Sequence, residues 1–338
     1  MLGAAPIHPA SLPAKLIYAL ADALTPRLVR RLVLHAGNGT VAGRMTTMGR
    51  RVNTVAKLQR VRPFFGVGFT RAQGAGVPVE VVRAADRGRP PGEAFVDGVI
   101  LYLHGGGFIT GGLDTHLHVV AKLARRTRLP VVHVDYRQYP QVTVDGSVDD
   151  CIGAYRWLLG LGADPAKTVL AGDSAGGFLA FATALTSQER GLPAPAGVIG
   201  ISALLELDGV ARSTHSNMRA DAFGIPAVLP DIVDLVCPSA RLRHELSPIN
   251  GRLEMMPPAL LIAAESEILR CDAERLHAAL QQLGRSTRLE LWARELHAFP
   301  ALFPFLPDSR AAFDQICRFV AERLSDADRP GEDRREVS

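Results

Sequence analysis

The chain has 338 residues, of which 47% are hydrophobic and 21% are charged, so it can bury a sizeable core and is not expected to be globally disordered. Its formal net charge of +4 is small for this length, and no basic run interleaves with aromatic residues. Nucleic acid is therefore not an expected partner. The four cysteines lie far apart without a C-x-x-C pair, which argues against a metal site or dense disulfides and fits free thiols.

The first residues lack the basic and apolar regions of a signal peptide, and no stretch of about eighteen uncharged apolar residues could span a bilayer. We therefore expect a cytoplasmic protein. Residues 1–65 are predicted to form a helical segment, with apolar residues recurring at three- and four-residue steps from 12 to 34 and a second helical run near 47–60. Pro26 is expected to split the first run into two helices.

The first helical run also has a basic face, formed by Arg27, Arg30 and Arg31. Two interpretations stand beside each other: a helix that makes a weak contact with a membrane surface, and a cap that packs over an active site. We favour the cap.

From residue 66 to 324, short apolar strands alternate with helices. Strands are predicted at 77–83, 98–104, 130–136, 168–171, 196–202, 259–264 and 287–292, and helices at 117–128, 148–161, 177–182, 272–283 and 308–324. This alternation predicts an α/β fold with a doubly wound, mostly parallel sheet and helices on both faces. Residues 206–246 contain no convincing strand and are predicted to be a helical insertion above the sheet. The charged residues 325–338 are expected to be a disordered tail.

The pentapeptide Gly172-Asp173-Ser174-Ala175-Gly176 lies between a predicted strand and a predicted helix. In this context, a Gly-x-Ser-x-Gly turn holds the serine in a strained conformation and lifts its hydroxyl above the sheet edge. A glycine-rich loop with a solvent-facing serine would explain the motif equally well if it stood alone. Ser174 is therefore a candidate nucleophile whose support must come from the rest of the chain.

A serine nucleophile needs a histidine base, an acid that orients the base, and donors for an oxyanion. His297 follows the last predicted strand, at the sheet edge where a loop can reach Ser174. The acid should come between them in chain order, and the strand ending at Ala264 leads to both Glu265 and Glu267. The spacing alone does not choose between the two glutamates.

The oxyanion donors are predicted in the glycine run Gly105-Gly106-Gly107, which follows a strand ending at His104. Glycines let backbone N–H groups turn toward one point, and the N–H of Ala175 would supply a further donor. Phosphate binding is the competing use of such a loop. It is disfavoured because the chain has neither a Walker-type motif nor a clean dinucleotide fingerprint, and no cofactor is expected.

Taken together, these segments resemble the hormone-sensitive-lipase-like branch of the α/β-hydrolase esterases. The resemblance runs in order from about residue 95 to 322. The matching segments are His104-Gly105-Gly106-Gly107-Phe108, Asp135-Tyr136-Arg137, Gly172-Asp173-Ser174-Ala175-Gly176-Gly177, Ser247-Pro248, Pro257-Pro258, Glu267-Ile268-Leu269-Arg270 and His297-Ala298-Phe299.

The resemblance implies an α/β-hydrolase fold in which the N-terminal helices form a cap. It implies Ser174 as the nucleophile, Glu267 rather than Glu265 as the acid, and His297 as the base. The implied oxyanion donors are the N–H groups of Gly106, Gly107 and Ala175, with His104 and Gly105 supporting the glycine loop.

Three segments depart from the family pattern. Glu267-Ile268-Leu269 stands where the family usually has Asp-Pro-Leu. Gln138-Tyr139-Pro140-Gln141 replaces Leu-Ala-Pro-Glu, so we expect a carboxylate partner to be lost and the Tyr139 ring to lie near the pocket. Ala203-Leu204-Leu205-Glu206 replaces a Pro-aromatic-x-Asp segment.

Outside these segments, we place His116 and His118 at the start of a surface helix, and Asp149 and Asp150 in the first turn of a helix.

The expected function is that of a serine carboxylesterase acting on short- to medium-chain acyl esters, with a small-molecule ester as its partner. An amidase or other acyl hydrolase on the same triad is one alternative. A non-catalytic ligand-binding homologue is another, which the presence of both Ser174 and His297 disfavours. The sequence leaves open whether the protein is a monomer or a homodimer.

Overall fold

A computed structural model describes residues 5–34, 66–85 and 95–328, together with positions 47, 49, 51 and 53–56; within residues 26–34 it describes the backbone alone. The described strands form one nine-stranded sheet in the order β1-β9-β8-β7-β6-β4-β5-β3-β2. These strands are β1 (Ile7–His8), β2 (Val67–Gly74), β3 (Val77–Ala84), β4 (Val99–Leu103), β5 (Val131–Val134), β6 (Thr168–Asp173), β7 (Gly197–Ile201), β8 (Ala259–Ala264) and β9 (Thr287–Trp292).

Only the β2–β3 and β3–β5 pairs of this sheet are antiparallel, so the predicted mostly parallel sheet is confirmed. Strands β4 and β8 are apolar along their whole length, and every residue of both is buried. Strands of this kind need cover on both faces. Parallel strands also bring their carboxyl ends to one edge, where the loops after β4, β6, β8 and β9 meet.

The helices that cover the sheet divide the core in two. The helices are α1 (Leu12–Leu34), α2 (Leu117–Thr127), α3 (Val144–Gly160), α4 (Ala175–Glu189), α5 (Val210–Ser213), α6 (Ile225–Val236), α7 (Ala240–Leu246), α8 (Arg270–Gln282), α9 (Phe299–Leu302) and α10 (Pro307–Asp328). One core cluster includes Ile152 of α3 and Phe178 of α4. The other, on the opposite face, includes Leu123 of α2 and Phe313 of α10. The doubly wound architecture follows from this division.

The N-terminal segment differs from the expected pair of helices. Residues 7 and 8 form an edge strand that pairs in parallel with β9, and α1 continues through Pro26 as one helix. The proline removes one hydrogen bond of the helix without ending it. Positions 47, 49, 51 and 53–56 are helical, as predicted for the second run, while residues 1–4, 35–46 and 57–65 of the predicted cap lie outside the described residues.

Helix α1 contacts the insertion with one face and exposes apolar side chains on the opposite face. Ala14 is buried, and the Tyr18 hydroxyl donates a 2.8 Å hydrogen bond to the carbonyl oxygen of Ala220. The opposite face exposes large apolar side chains, with exposed fractions of 43% to 70% at Leu12, Leu16, Leu20 and Leu24. The helix therefore contacts the segment above the sheet while presenting a row of leucines outward.

The insertion at residues 206–246 consists of α5, α6, α7 and short turns, without a strand. At the other end of the chain, α10 continues to Asp328, so residues 325–328 are helical and not disordered as expected. The ion pair between Lys167 Nζ and Asp328 Oδ1, at 2.6 Å, ties this last turn to the body of the protein. Residues 329–338 of the predicted tail lie outside the described part of the chain.

Candidate active site

Ser174 occupies a strained turn between β6 and α4. Its backbone has φ 52° and ψ −120°, a conformation that a non-glycine residue rarely adopts, and its side chain is partly exposed. The flanking glycines are required by close packing, because a Cβ on Gly172 would lie 2.2 Å from the Gly176 oxygen. A Cβ on Gly176 would lie 2.0 Å from the Leu103 oxygen and 2.5 Å from the His104 oxygen. The serine turn therefore touches the start of the glycine loop.

His297 lies in the loop after β9, within hydrogen-bond distance of the serine. Its Nε2 is 2.9 Å from the Ser174 Oγ. The backbone bends sharply at the next residue, where Ala298 has φ 53° and donates its N–H to the Ser202 Oγ at 2.9 Å. This anchor between the loops after β7 and β9 fixes the direction of the imidazole.

Glu267 completes a chain of hydrogen bonds that begins at Ser174. Its Oε2 is 2.7 Å from the His297 Nδ1, while its Oε1 accepts the N–H of Ala264 at 2.8 Å. The exposed fractions of the side chains are 1% for Glu267 and 5% for His297. The extra methylene of glutamate thus lets one carboxyl group reach both the end of β8 and the imidazole. Glu265, the alternative that the spacing left open, has no hydrogen bond to His297 among the described residues.

The insertion also holds the turn that contains Glu267. The side-chain amide of Asn217 donates to the carbonyl oxygens of Glu265 at 2.7 Å and of Glu267 at 2.8 Å. Asn217 is 6% exposed, so its amide needs these partners. This contact could not be predicted from the sequence, because it joins segments that are fifty residues apart.

The environment of His297 favours its protonated form. Burial lowers the pKa of the imidazole, but the hydrogen bond and charge of Glu267, with the charges of Asp221 and Asp173, outweigh burial and leave the pKa above 6.5. A base of this kind can take up a proton from a neighbouring hydroxyl and keep it near a buried carboxylate.

The glycine run after β4 adopts backbone conformations that side chains would block. Gly106 has φ 125° and Gly107 has φ 64°, and a Cβ on Gly106 would lie 1.9 Å from the Thr110 oxygen. Within the described part of the chain, no hydrogen-bond acceptor is assigned to the N–H groups of Gly106 or Gly107. Ala175 is the first residue of α4, where backbone N–H groups have no partner within the helix.

Asp173 links this glycine loop to the serine turn, a role that the sequence did not indicate. Its buried carboxylate accepts hydrogen bonds from the Tyr102 hydroxyl at 2.7 Å and the Gly105 N–H at 3.1 Å, and lies 3.2 Å from the His116 Nε2. Burial raises the pKa of Asp173, but the charge and hydrogen bond of His116 and the hydrogen bond from Tyr102 outweigh it and hold the pKa well below its usual range. A buried carboxylate needs such partners.

His116 and His118 lie at the start of α2, as expected, but their side chains do not face the solvent. His116 is bonded to Asp173 and its side chain is 12% exposed. The Nε2 of His118 bonds to the carbonyl oxygen of Ala301, and burial lowers the pKa of this histidine. Both side chains therefore face the body of the protein.

His104 supports the glycine loop from below, and it is neutral. Its ring stacks on Tyr136 at 4.3 Å, and the Tyr136 hydroxyl donates a 2.7 Å hydrogen bond to the His104 carbonyl oxygen. The Nδ1 of His104 is 2.9 Å from the Gly105 oxygen. Burial lowers the pKa of His104 to about 3, so the ring acts as a rigid neutral support near neutral pH.

The residue just before the segment Gln138 to Gln141 has a carboxylate partner that lies outside this segment. Arg137 binds Asp150, with its N–H 2.8 Å from Oδ2 and its Nη2 2.7 Å from Oδ1. Helix α3 begins at Val144, so Asp149 and Asp150 lie in its second turn and not in the first. Tyr139 is partly buried, packs against the core and donates its N–H to the Phe108 oxygen at 2.9 Å.

The last departure, at Glu206, forms part of a buried network below the insertion. The Asp272 Oδ2 accepts the N–H groups of Leu205 at 2.9 Å and Glu206 at 3.1 Å, and it pairs with Arg212 at 2.6 Å. Glu206 itself forms an ion pair with Arg275 at 2.9 Å. The network anchors the start of the insertion over the sheet.

The described residues include no group of three or more histidine, cysteine, aspartate or glutamate side chains that could hold a metal ion. In the same part of the chain, no helix has the length and apolar character needed to cross a membrane. All four cysteines have free thiols.

Comparison with known proteins places this chain in a family. A family model described as alpha/beta hydrolase fold matches residues 100–301. The chain belongs to the alpha/beta hydrolase family. Esterase LipU of Mycobacterium tuberculosis is 36% identical over 231 residues, which make up 66% of this chain and 77% of that protein.

Solved structures of esterases are similar to this alpha/beta hydrolase over nearly its whole length. The crystal structure of EstE5 soaked with p-nitrophenyl butyrate has a TM-score of 0.79 and 26% sequence identity, and the match covers 94% of this chain and 100% of that chain. An esterase described as a member of the bacterial hormone-sensitive lipase family has a TM-score of 0.76 and 26% identity, and the match covers 93% and 99% of the two chains. The resemblance to the hormone-sensitive-lipase-like branch is therefore confirmed.

Proposed function

We propose that this alpha/beta hydrolase is a serine carboxylesterase that cleaves short- to medium-chain acyl esters with Ser174 as the nucleophile, His297 as the base and Glu267 as the orienting acid. The main support is the unbroken chain of hydrogen bonds from the Ser174 Oγ through the His297 ring to the Glu267 carboxylate, at 2.9 Å and 2.7 Å. The strained backbone of Ser174 and the esterase relatives support the same function.

In the first half of the reaction, His297 Nε2 takes the proton of the Ser174 hydroxyl while Oγ attacks the ester carbonyl. Glu267 keeps a proton on Nδ1 and stabilises the imidazolium. The tetrahedral intermediate collapses as His297 gives its proton to the leaving alcohol, and an acyl group remains on Ser174. In the second half, His297 takes a proton from water and the resulting hydroxide attacks the acyl carbonyl. The second tetrahedral intermediate then collapses as His297 returns its proton to the Ser174 Oγ, which frees the serine and releases the carboxylic acid.

The oxyanion of both tetrahedral intermediates would be held by the N–H groups of Gly106, Gly107 and Ala175. Among the described residues, the N–H groups of Gly106 and Gly107 have no assigned acceptor and Ala175 is the first residue of α4, which supports this assignment. The contact of Gly176 with the carbonyls of Leu103 and His104 fixes the loop against the serine turn. A single donor of this kind contributes about 3 kcal/mol to the barrier reduction.

The preference for short and medium acyl chains rests on the cover above the glycine loop. An ideal Cβ on Gly107 would lie 3.5 Å from the Ile232 side chain, so α6 of the insertion lies directly over the loop. The ring of Phe223, also in the insertion, lies 5.6 Å from the His297 ring. An apolar cover this close to the reacting groups favours a small acyl chain over an emulsified triglyceride.

A p-nitrophenyl ester series from acetate to palmitate tests both the activity and the chain-length preference. We expect kcat/KM to be highest between acetate and octanoate, with Ser174→Ala as the control that abolishes turnover. Equal activity on palmitate, or on an emulsified triglyceride, would contradict the chain-length proposal. Turnover that persists in Ser174→Ala would contradict the assignment of the nucleophile.

The alternatives from the sequence are separated by two further measurements. An amidase would hydrolyse the p-nitroanilide of the preferred acyl group at a rate comparable to the p-nitrophenyl ester, whereas we expect the ester to be strongly preferred. A non-catalytic homologue would not be labelled at Ser174 by an organophosphonate, whereas we expect a single adduct that Ser174→Ala prevents.

The partner that we propose is a small-molecule ester, and a weak contact with a membrane surface is a secondary proposal. The outward leucine row of α1 supports such a contact. Flotation with anionic vesicles, compared between the wild type and Leu16→Asp, would test it.

A cytoplasmic location is a proposal supported by the four free thiols, and fractionation of cells would test it. Analytical ultracentrifugation would distinguish a monomer from a homodimer.

A further inference from the structure

The insertion above the sheet contributes a second carboxylate to the surroundings of His297. Asp221 lies between the short turn after Asn217 and the start of α6, in a segment that has no part in the proposed triad. Its side chain is largely buried and bonds only to backbone N–H groups among the described residues. These bonds connect two parts of the molecule that are distant in sequence.

One oxygen of Asp221 holds the turn that follows Glu267. The Asp221 Oδ2 accepts the N–H of Ile268 at 2.9 Å, directly after the acid in sequence. This hydrogen bond requires an N–H at position 268, which a proline at that position would lack. Together with the two hydrogen bonds from Asn217 to the carbonyl oxygens of Glu265 and Glu267, it fixes the backbone on both sides of the acid.

The other oxygen of Asp221 shapes the segment that carries Phe223. The Asp221 Oδ1 accepts the N–H groups of Phe223 at 2.9 Å and Gly224 at 3.0 Å, which is an Asx turn at the start of α6. The Phe223 ring lies 5.6 Å from the His297 ring at an interplanar angle of 45°. A single carboxylate therefore orders both the turn next to the acid and an aromatic neighbour of His297.

Asp221 is also one of three carboxylates whose charge acts on His297. The others are Glu267, bonded to Nδ1, and Asp173, which is paired with His116. Burial, together with the charge of Glu267, raises the pKa of Asp221 above its usual value, although the N–H of Ile268 and the charge of His297 act in the opposite direction. Three backbone N–H groups favour the ionised carboxylate.

We propose that Asp221 is a positioning residue for the base: it fixes the Glu267 turn from the insertion and places a second negative charge beside His297, which stabilises the imidazolium formed when Ser174 loses its proton. This inference rests on the proposed function. The insertion would then do more than cover the pocket. Residues 217–224 would hold the turn that carries Glu267 and place a negative charge near His297.

The test compares Asp221→Asn with Asp221→Glu and with a matched control, Asp231→Asn. Asp231 is an exposed aspartate of α6, so its substitution removes the same charge from the same insertion without touching His297. The measurement is kcat/KM for a p-nitrophenyl ester from pH 5 to 9, normalised to active sites titrated with an organophosphonate. The titration removes differences that come only from folding.

For Asp221→Asn we expect the acid limb of the pH profile to move to lower pH by about half a unit or more, because the imidazolium has lost a nearby negative charge. We also expect kcat per titrated site to fall roughly ten- to a hundredfold as the acid turn loosens. Asp221→Glu keeps the charge and should keep the acid limb near that of the wild type, and Asp231→Asn should match the wild type in both respects.

A fourth variant separates the charge of Asp221 from its hold on the turn. Asn217→Ala removes two hydrogen bonds to the same turn without changing any charge, so it should lower kcat and leave the acid limb in place. If Asp221→Asn does not fold, Asp221→Ser, whose hydroxyl can accept from the same N–H groups, gives the same neutral comparison.

An acid limb in the neutral Asp221 variant that coincides with that of the wild type would overturn the inference. An equal shift in Asp231→Asn would do the same, because the effect would then be one of general charge. Failure of both neutral variants to fold would show that Asp221 has a structural role and would also overturn it. The proposed function is tested separately, since it fails only if the wild-type Ser174 is not labelled or if Ser174→Ala stays active.

Discussion

The two halves of the candidate site are built by different means. The serine half, made of the turn at Ser174 and the glycine loop at Gly106, depends on close backbone packing in which a Cβ would collide with carbonyl oxygens. The acid-base half, made of Glu267 and His297, depends on side chains of the insertion and of neighbouring loops, such as Asn217. The first half is rigid because of its backbone, whereas the second is held by hydrogen bonds between segments distant in sequence.

This difference suggests how each half responds to substitution. A change in the serine half should act through steric clash and should be severe wherever a glycine is lost. A change in the acid-base half should act through tautomer, charge and orientation, and conservative replacements should rescue part of the activity. Substitutions in each half can test this contrast.

The largest effect is expected for Glu267→Gln. Its amide group would present an N–H to the His297 Nδ1 and hold the imidazole in the tautomer that cannot accept the serine proton, so kcat should fall by about 10³- to 10⁴-fold. Glu267→Asp keeps the charge but shortens the reach between the Ala264 N–H and the imidazole, and it should lose less. Steady-state kinetics on one p-nitrophenyl ester would measure both. Undiminished turnover in Glu267→Gln would rule out this acid.

Gly106→Ala should lower kcat by about 10²- to 10³-fold, because the new Cβ would lie 1.9 Å from the Thr110 oxygen and displace an oxyanion donor. Gly68→Ala is the matched control. Gly68 lies in β2 with nothing within 4 Å of an added Cβ, so its replacement should leave kcat unchanged. Equal losses in the two variants would show that the contrast between the halves is wrong.

The sequence predicted the serine half better than the acid-base half, for a physical reason. The glycines around Ser174 and after His104 are required because a Cβ would collide with nearby backbone atoms. This requirement is local, so the motifs can be recognised in the sequence. The spacing could not choose between Glu265 and Glu267, because the choice depends on the Ala264 N–H and on His297 after folding. Only the family resemblance named Glu267 in advance.

Long-range partners account for what the sequence missed. The parallel sheet and the helical insertion follow from apolar periodicity, but His116 was expected on the surface because nothing nearby in sequence shows that it meets Asp173. In the same way, nothing close to Arg137 in sequence shows that it binds Asp150, which reaches it only once α3 is packed against the sheet. The edge strand at residues 7 and 8 is too short to show a period at all.

The pH dependence of the reaction should follow the environment of His297. Burial lowers the pKa of His297, but Glu267, Asp221 and Asp173 outweigh burial and raise it above 6.5. Because the base must be neutral to accept the serine proton, kcat/KM should begin to fall at a pH above 6.5 and decrease about tenfold per unit below its pKa. A pH profile of the wild type measures this limb directly. A limb centred below pH 6.5 would mean that the three carboxylates do not dominate.

The smallest effect is expected where a tyrosine supports the glycine loop. Tyr136→Phe removes the hydroxyl that donates to the His104 oxygen and leaves a buried acceptor without its partner, so the free energy of unfolding should fall by about 1–2 kcal/mol. Tyr155→Phe is the matched control, since its hydroxyl donates to the Pro193 oxygen at 2.9 Å, away from the glycine loop. Urea unfolding should show similar losses of stability, whereas only Tyr136→Phe should lower kcat, by a few-fold, because only His104 adjoins the oxyanion donors. If Tyr155→Phe lowers kcat equally, the glycine loop does not depend on this support, and backbone packing alone keeps the serine half in place.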